Sequence, residues 1–135
     1  MMQPYLTGVD TAGETGLLML EGNFDHAIGK EPMLLDGPSK ADGDRAALPE
    51  VAARVPSAAE LAVADATIAY VSERFGAVPL YARVDLLPTP EGPVLLELEL
   101  TEPRLFLESS LGSAGRYAEA IRRAATTVES EARDV

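Results

Sequence analysis

The chain has 135 residues, 47% of them apolar, and a mean hydropathy near zero, which predicts one soluble globular domain with its own core. Its net charge of −11 argues against binding nucleic acid or an anionic membrane, although a few local cations and a metal ion could still hold a nucleotide. The sequence has no cysteine, no run of about 18 apolar residues and no secretory signal, which excludes thiol chemistry and predicts a cytoplasmic protein without a transmembrane helix.

The first part of the chain predicts two strands and a long loop. A short extended piece and a turn-rich stretch precede a buried strand at 14–21. Gly22-Asn23 then signals a hairpin, and a second strand is predicted over 24–32. Residues 33–50, rich in Gly, Pro, Asp and Ser, predict a loop long enough to be functional or mobile.

Two amphipathic helices are predicted, over 58–75 and 113–131. The first begins at a capping box formed by Ser57 and Glu60, and it ends at Gly76. The residues of the second that are predicted to face inward are Tyr117, Ala120, Ile121, Ala124 and Val128. The order of elements predicts an α+β fold, in which an antiparallel sheet carries helices packed on one side.

Between the helices, two segments alternate apolar and polar residues with the period of half-buried strands. They are YARVDLL (81–87) and VLLELEL (94–100), joined by the turn-rich PTPEGP. We therefore predict an antiparallel hairpin centred on Glu91.

In that hairpin Asp85 lies opposite Glu97, and Arg83 lies opposite Glu99. Like charges this close repel by a few kcal/mol at an effective dielectric of roughly 20, unless a cation sits among them. Hard oxygen ligands without histidine or cysteine suit magnesium best. Alternating Glu and Leu is also typical of a strand with one solvated face, and a one-residue slip in register would move Asp85 to the other face.

Four stretches of the chain share residue types and spacing with one family of enzymes. They are QPYL (3–6), GET (13–15), FDHAIGKEP (24–32) and YARVDLL…LLELELTEP (81–103). Together they resemble the C-terminal part of an ATP-grasp carboxylate–amine ligase, of the glutathione-synthetase-like, ribosomal-protein-S6-modification-like or D-alanine–D-alanine-ligase-like branches. The last stretch is the most specific, because it resembles the R-x-D…E-x-N/E…P signature in residue type, spacing and strand context.

The resemblance implies a role for each matching residue. Asp85, Glu97 and Glu99 would be magnesium ligands, with Glu99 standing where the family often has Asn. Arg83 would stabilise a tetrahedral intermediate. Lys30 would reach the transferring phosphoryl group or the carboxylate substrate.

The same resemblance implies a nucleotide site near the start of the chain. Glu14 would bind the ribose of ATP, while Gln3 and the backbone near Tyr5 and Leu6 would frame the adenine. The implied reaction joins a small carboxylate to an amine through an acyl phosphate, with ATP and Mg²⁺ as cofactors.

The chain also departs from the family. The glycine-rich loop and the two lysines that hold the phosphates lie upstream in the family and are absent here, as is the N-terminal substrate domain. We therefore expect residues 1–135 to be the C-terminal part of a truncated ATP-grasp domain, inactive alone. A homodimer, or a partner that supplies the missing lobe, stays open.

A second hypothesis does not involve catalysis. The same acidic strand face could belong to a free-standing acidic domain that binds a divalent cation or a partner protein. The residues by themselves do not separate this domain from a fragment of a ligase.

Overall fold

The computed structural model describes residues 6, 8–32 and 51–131, and it contains one antiparallel sheet and two long helices over these residues. The strands are β1 (Glu14–Leu20), β2 (Asn23–Lys30), β3 (Val51–Arg54), β4 (Tyr81–Leu87) and β5 (Val94–Glu99). They lie in the order β3-β2-β1-β4-β5. The helices are α1 (Gly8–Thr11), α2 (Ala58–Phe75) and α3 (Ser113–Glu131), with a 3₁₀ turn at Leu107–Ser109. The predicted fold class, an antiparallel sheet with helices packed on it, is confirmed.

The two faces of the sheet bury different clusters, because successive side chains of a strand point to opposite sides. On one face, Leu17 and Val84 pack with Ala64 and Ile68 of α2. On the other face, Leu18 and Ile28 pack with Phe106. The apolar core under α2 therefore packs one face of the sheet against the helix. The opposite face packs against Phe106 instead.

Helix α2 begins and ends where the sequence predicted. Ser57 accepts a hydrogen bond from the backbone of Glu60, and the Glu60 carboxylate accepts from the backbone of Ser57, which completes the capping box. Gly76 ends the helix in the left-handed conformation. The Glu60 side chain is also buried against the sheet, where Thr15 donates to it at 2.6 Å. One residue thus caps the helix and ties it to β1.

The β1–β2 hairpin turns one residue earlier than predicted. Its turn residues are Glu21 and Gly22, both with positive φ, and Asn23 already belongs to β2. Positive φ at both central positions is the requirement of a type I′ turn, whose twist matches that of the strands. The hairpin itself is confirmed, and the glycine occupies its second central position.

Helix α3 has the predicted bounds, but the structure differs from the sequence pattern in two details. Ile121, predicted to face inward, is 51% exposed, because Tyr117, Ala120 and Ala124 already fill the stripe at i, i+3 and i+7. The helix also contacts the sheet from the side of His26, through the Tyr117 ring, rather than beside α2. The two long helices thus do not share a face.

Strand β3 was missed by the sequence pattern. Its four residues, VAAR, show no alternation, and three of them are exposed. Pairing with β2, from Ala27 opposite Arg54 to Lys30 opposite Val51, is what makes this segment extended. The predicted loop over 33–50 lies outside the described residues.

We expect Glu60→Gln to weaken the fold above pH 5 and to flatten its acid sensitivity. Burial by itself raises the pKa of Glu60, but hydrogen bonds from Thr15 and Ser57 outweigh burial and hold that pKa below its usual value of 4.5. The stabilisation is therefore present above pH 4.5 and is lost as the pH falls through the lowered pKa. Urea denaturation at neutral pH should show a loss of about 1 kcal/mol.

Glu73→Gln is the matched control, because Glu73 lies exposed on the same helix. It should leave both the free energy of unfolding and its dependence on pH unchanged. Equal acid sensitivity in Glu60→Gln and the wild-type chain would contradict the assigned role of Glu60.

Candidate functional site

Six of the residues singled out in the sequence lie on one face of the sheet, opposite α2, and form a single row of ion pairs. The register of the strands creates the row, because it pairs Glu14 with Lys30, Asp85 with Glu97, and Arg83 with Glu99. The predicted hairpin register is thus confirmed at both charged pairs. The row consists of Glu14, Lys30, Asp85, Arg83, Glu97 and Glu99.

Asp85 is the centre of the row and is fully buried. Arg83 donates hydrogen bonds to Asp85, from Nε at 3.0 Å to both carboxylate oxygens and from Nη2 at 2.9 Å to Oδ2. Lys30 Nζ donates to the same Oδ2 at 2.8 Å and to Glu14 Oε2 at 3.3 Å. Two cations therefore neutralise a charge that would be costly to bury alone.

Arg83 is itself buried and keeps its charge. Burial by itself lowers the pKa of its guanidinium, but the hydrogen bond and the charge of Asp85, with a further contribution from Glu99, raise that pKa above its usual value. Nη2 of Arg83 also donates to Glu99 and lies 3.5 Å from Glu97 Oε2. One guanidinium thus contacts all three carboxylates of the β4–β5 hairpin.

The outer carboxylates of this hairpin lie close enough to one another and to Asp85 for their charges to repel. Partial burial first, and then the charges of Glu99 and Asp85, raise the pKa of Glu97. Across the row, four carboxylates face two cations, which leaves two negative charges when all are ionised. The surplus lies at the more exposed end, with Glu97 and Glu99.

Oxygen atoms of Asp85, Glu97 and Glu99 lie within 4.8 Å of one another, close enough to share a cation. The donor set is all carboxylate, which fits Mg²⁺ better than a softer metal. The surplus of two negative charges also matches a divalent ion. The residues present therefore fit a magnesium ion.

A glycine that the sequence analysis did not single out makes room for Asp85. A Cβ on Gly16 would lie 2.8 Å from Asp85 Oδ1 and 2.9 Å from Cδ1 of Ile28. Gly16 lies directly opposite Asp85 in the β1–β4 pair. A lone glycine inside a predicted buried strand is the signal that could have revealed this close approach.

The residues expected near a nucleotide are only partly described. Leu6 lines a concavity of about 480 Å³ together with Gly8, Thr11, Leu87 and the turn after β4. Gln3 and Tyr5 lie outside the described residues. Glu14, expected at the ribose, accepts a hydrogen bond from Lys30 Nζ.

A bulge in β5 separates the charged part of the hairpin from its turn. The pairing shifts between Asp85 and Leu86, so that Leu86 faces Leu95 and an extra residue, Leu96, stands between the two registers. The shift lies outside the charged pairs. The acidic cluster therefore keeps the register that the sequence predicts.

The fold is shared with ligases of known structure. The D-alanine–D-alanine ligase from Bacillus anthracis, complexed with ATP, matches with a TM-score of 0.54 and 19% identity over 88% of this chain and 41% of that one. The ATP-grasp ligase PsnB, complexed with a minimal precursor, matches with a TM-score of 0.52 and 14% identity over 84% of this chain and 36% of its own. No protein-family model matches the chain. At these identities the likeness shows the fold alone.

One relative is similar to this chain in both sequence and structure. The cycloserine biosynthesis protein DcsG of Streptomyces lavendulae is 38% identical over 125 residues, which are 90% of this chain and 40% of that protein. The crystal structure of the D-cycloserine synthetase DcsG matches with a TM-score of 0.77 and 34% identity, over 90% of this chain and 41% of that one. The chain is thus related to the ATP-grasp ligases, as its motifs predicted, and it spans about 40% of the length of this relative.

Gly16→Ala should disturb the buried carboxylate of Asp85. Because the new methyl group would crowd the buried side chains of Asp85 and Ile28, we expect a loss of about 1–3 kcal/mol in the free energy of unfolding, the usual cost of overpacking. Chemical denaturation measures this change. Gly29→Ala is the matched control on the neighbouring strand, where a Cβ would make only ordinary contacts with Cδ and Cβ of Arg54, at 3.5 and 4.0 Å. Equal stability of the two variants would contradict the close approach.

Proposed function

We propose that this chain is the Mg-ATP-binding C-terminal part of an ATP-dependent carboxylate–amine ligase. The observation that carries the proposal is the cluster of Asp85, Glu97 and Glu99 around Arg83, on the strands that match the ligase signature. The likeness to DcsG, described as a D-cycloserine synthetase, supports the same class of reaction.

In the proposed reaction, a carboxylate oxygen of the substrate attacks the γ-phosphorus of ATP, and ADP leaves. The acyl phosphate then accepts an amine at its carbonyl carbon, and the amide forms as phosphate departs and the amine loses a proton. The carboxylate and amine substrates would be bound largely by the rest of the ligase, since the chain spans about 40% of the relative.

The three carboxylates would hold magnesium, which neutralises negative charge on the phosphates when it is bound. Arg83 uses Nε and Nη2 on the carboxylates, so that among the described residues its Nη1 group is left to donate to a developing oxyanion. Lys30, held at the other end of the cluster, would reach the phosphoryl group or the substrate carboxylate.

The nucleotide would extend from this cluster towards the start of the chain. Glu14 would bind the ribose, in exchange for or beside its contact with Lys30. Gln3, Tyr5 and Leu6 would frame the adenine, and Leu6 already borders a concavity next to the β4–β5 turn.

We further propose that the first ATP-grasp lobe and the substrate domain come from another stretch of polypeptide, and that the chain alone turns nothing over. None of the described helices is long and apolar enough to cross a membrane. A cytoplasmic location and a homodimer stay predictions. ADP release by the purified chain that required both ATP and an amine, and that Asp85→Ala abolished, would overturn the proposed inactivity.

Glu97→Gln is the sharpest test of the metal role, because its side chain is 56% exposed and its loss should not unfold the chain. Calorimetric titration of Mg²⁺, alone and with ADP, should show weak binding to the wild-type chain, on the order of 1 mM. The variant should bind at least tenfold more weakly, since it removes one charged oxygen ligand.

Glu73→Gln removes a carboxylate far from the cluster, on the exposed side of α2, and should bind like the wild-type chain. Unchanged binding in Glu97→Gln would contradict the proposed site. Binding of Mg²⁺ without any effect of ADP would favour a non-enzymatic cation-binding domain instead.

A further inference from the structure

The chain has a single histidine, and both nitrogens of its ring face groups that can only accept hydrogen bonds. His26 is buried on β2, with Nδ1 at 2.6 Å from Asp25 Oδ2. Nε2 lies 3.0 Å from the carbonyl oxygen of Leu105 and 3.2 Å from that of Phe106. A neutral imidazole donates from one nitrogen only, so this arrangement needs a proton on each.

The Asp25 carboxylate stays ionised in this arrangement. Burial by itself raises the pKa of Asp25, but hydrogen bonds from Arg116 and His26 outweigh burial and lower it. Arg116 contacts Asp25 through Nε at 2.5 Å and through Nη2 at 3.0 Å. The acceptor at Nδ1 is therefore a carboxylate fixed by α3, which can accept a hydrogen bond but cannot donate one.

The two carbonyls at Nε2 belong to a constrained segment. Residues 100–106, here called the strap, leave β5 directly after Glu99 and lead to the 3₁₀ turn. Two non-glycine residues of the strap, Glu102 and Phe106, have φ of 56° and 46°. The left-handed conformation is unfavourable for such residues and persists only where the surroundings impose it.

Apolar packing and hydrogen bonds together hold the strap in this conformation. Phe106 is buried beside Leu18 and Ile28, and Arg104 lies over its ring at 4.5 Å. The Phe106 carbonyl that His26 contacts also accepts a hydrogen bond from the backbone N–H of Ser109, the last residue of the 3₁₀ turn that precedes α3. Both hydrogen bonds from His26 fall on the strap where it turns into the left-handed conformation.

We infer that His26, protonated on both ring nitrogens, is a positioning residue that fixes the strap against the sheet, so that the order of the strap depends on pH. Loss of one ring proton would turn a lone pair towards either the carboxylate or the carbonyls. Among the residues that the structure describes, the titratable and charged groups that face His26 are Asp25 on its own strand and, from the packed elements, Arg116, Tyr117 and Glu108. A lone pair facing the Asp25 anion is repelled more strongly than one facing neutral carbonyl oxygens, so the remaining proton stays on Nδ1 and the carbonyl side is the one that loosens.

The single histidine makes this inference directly measurable. Nitrogen NMR of the imidazole should show both ring nitrogens protonated at neutral pH in the full chain. As the ring loses its proton, the amide of Ser109 should lose at least roughly tenfold of its hydrogen-exchange protection, corrected for the intrinsic rate, as expected for one charge-assisted hydrogen bond. The amide of Leu61, which caps α2 on the other face, should keep its protection.

Two variants separate positioning from simple packing. His26→Phe keeps an aromatic ring but should lower the protection of Ser109 at every pH and remove its dependence on pH. Asp25→Asn keeps the size of the acceptor, and should shift the loss of protection to lower pH because the imidazolium loses its anion. If His26→Phe fails to fold, Asp25→Asn and the nitrogen spectrum of the wild-type chain still test the inference.

A ring that carries one proton throughout the neutral range would overturn the inference. Protection of Ser109 that stays constant while His26 titrates would overturn it as well. Because neither readout involves magnesium or nucleotide, both are independent of the proposed ligase function.

Discussion

The fully buried carboxylate of Asp85 is the constraint on which the rest of the sheet depends. A lone charge in that position would cost several kcal/mol, so the fold must bring cations to it. Arg83 comes from the same strand and Lys30 from β2, two strands away in the sheet. The register of three strands is therefore coupled to one side chain, and Gly16 on the strand between them supplies the space it needs.

This constraint gives the two faces of the sheet different physical characters. Helix α2 covers one face with a dry apolar cluster, tied to β1 by Thr15 and Glu60. The other face carries a row of charges whose buried end is neutralised and whose exposed end, at Glu97 and Glu99, keeps excess negative charge. The apolar face supplies the stability that allows the charged face to be crowded.

The C-terminal part of the chain returns to the charged side of the sheet, where polar contacts join it to β2. His26 bridges Asp25 and the strap, and Arg116 of α3 closes the group. Because hydrogen bonds to charged groups depend on protonation, this junction is expected to respond to pH more than the apolar contacts of α2 do. The strap begins directly after Glu99, so the junction and the acidic cluster meet at the end of β5.

The sequence by itself determined the helices, the hairpins and the charged register, because local periodicity, caps and turn residues decide these features. Ser57, Glu60 and Gly76 mark the ends of α2, and the alternation of the two strands places Asp85 opposite Glu97. Only the tertiary structure decided the side of the sheet on which α3 lies, the strand at Val51–Arg54 and the contact of Lys30 with Asp85. These features depend on pairing between residues far apart in the chain, which no local pattern encodes. Gly16 lies between the two cases: its position was visible in the sequence, but its purpose depends on a side chain that another strand brings to it.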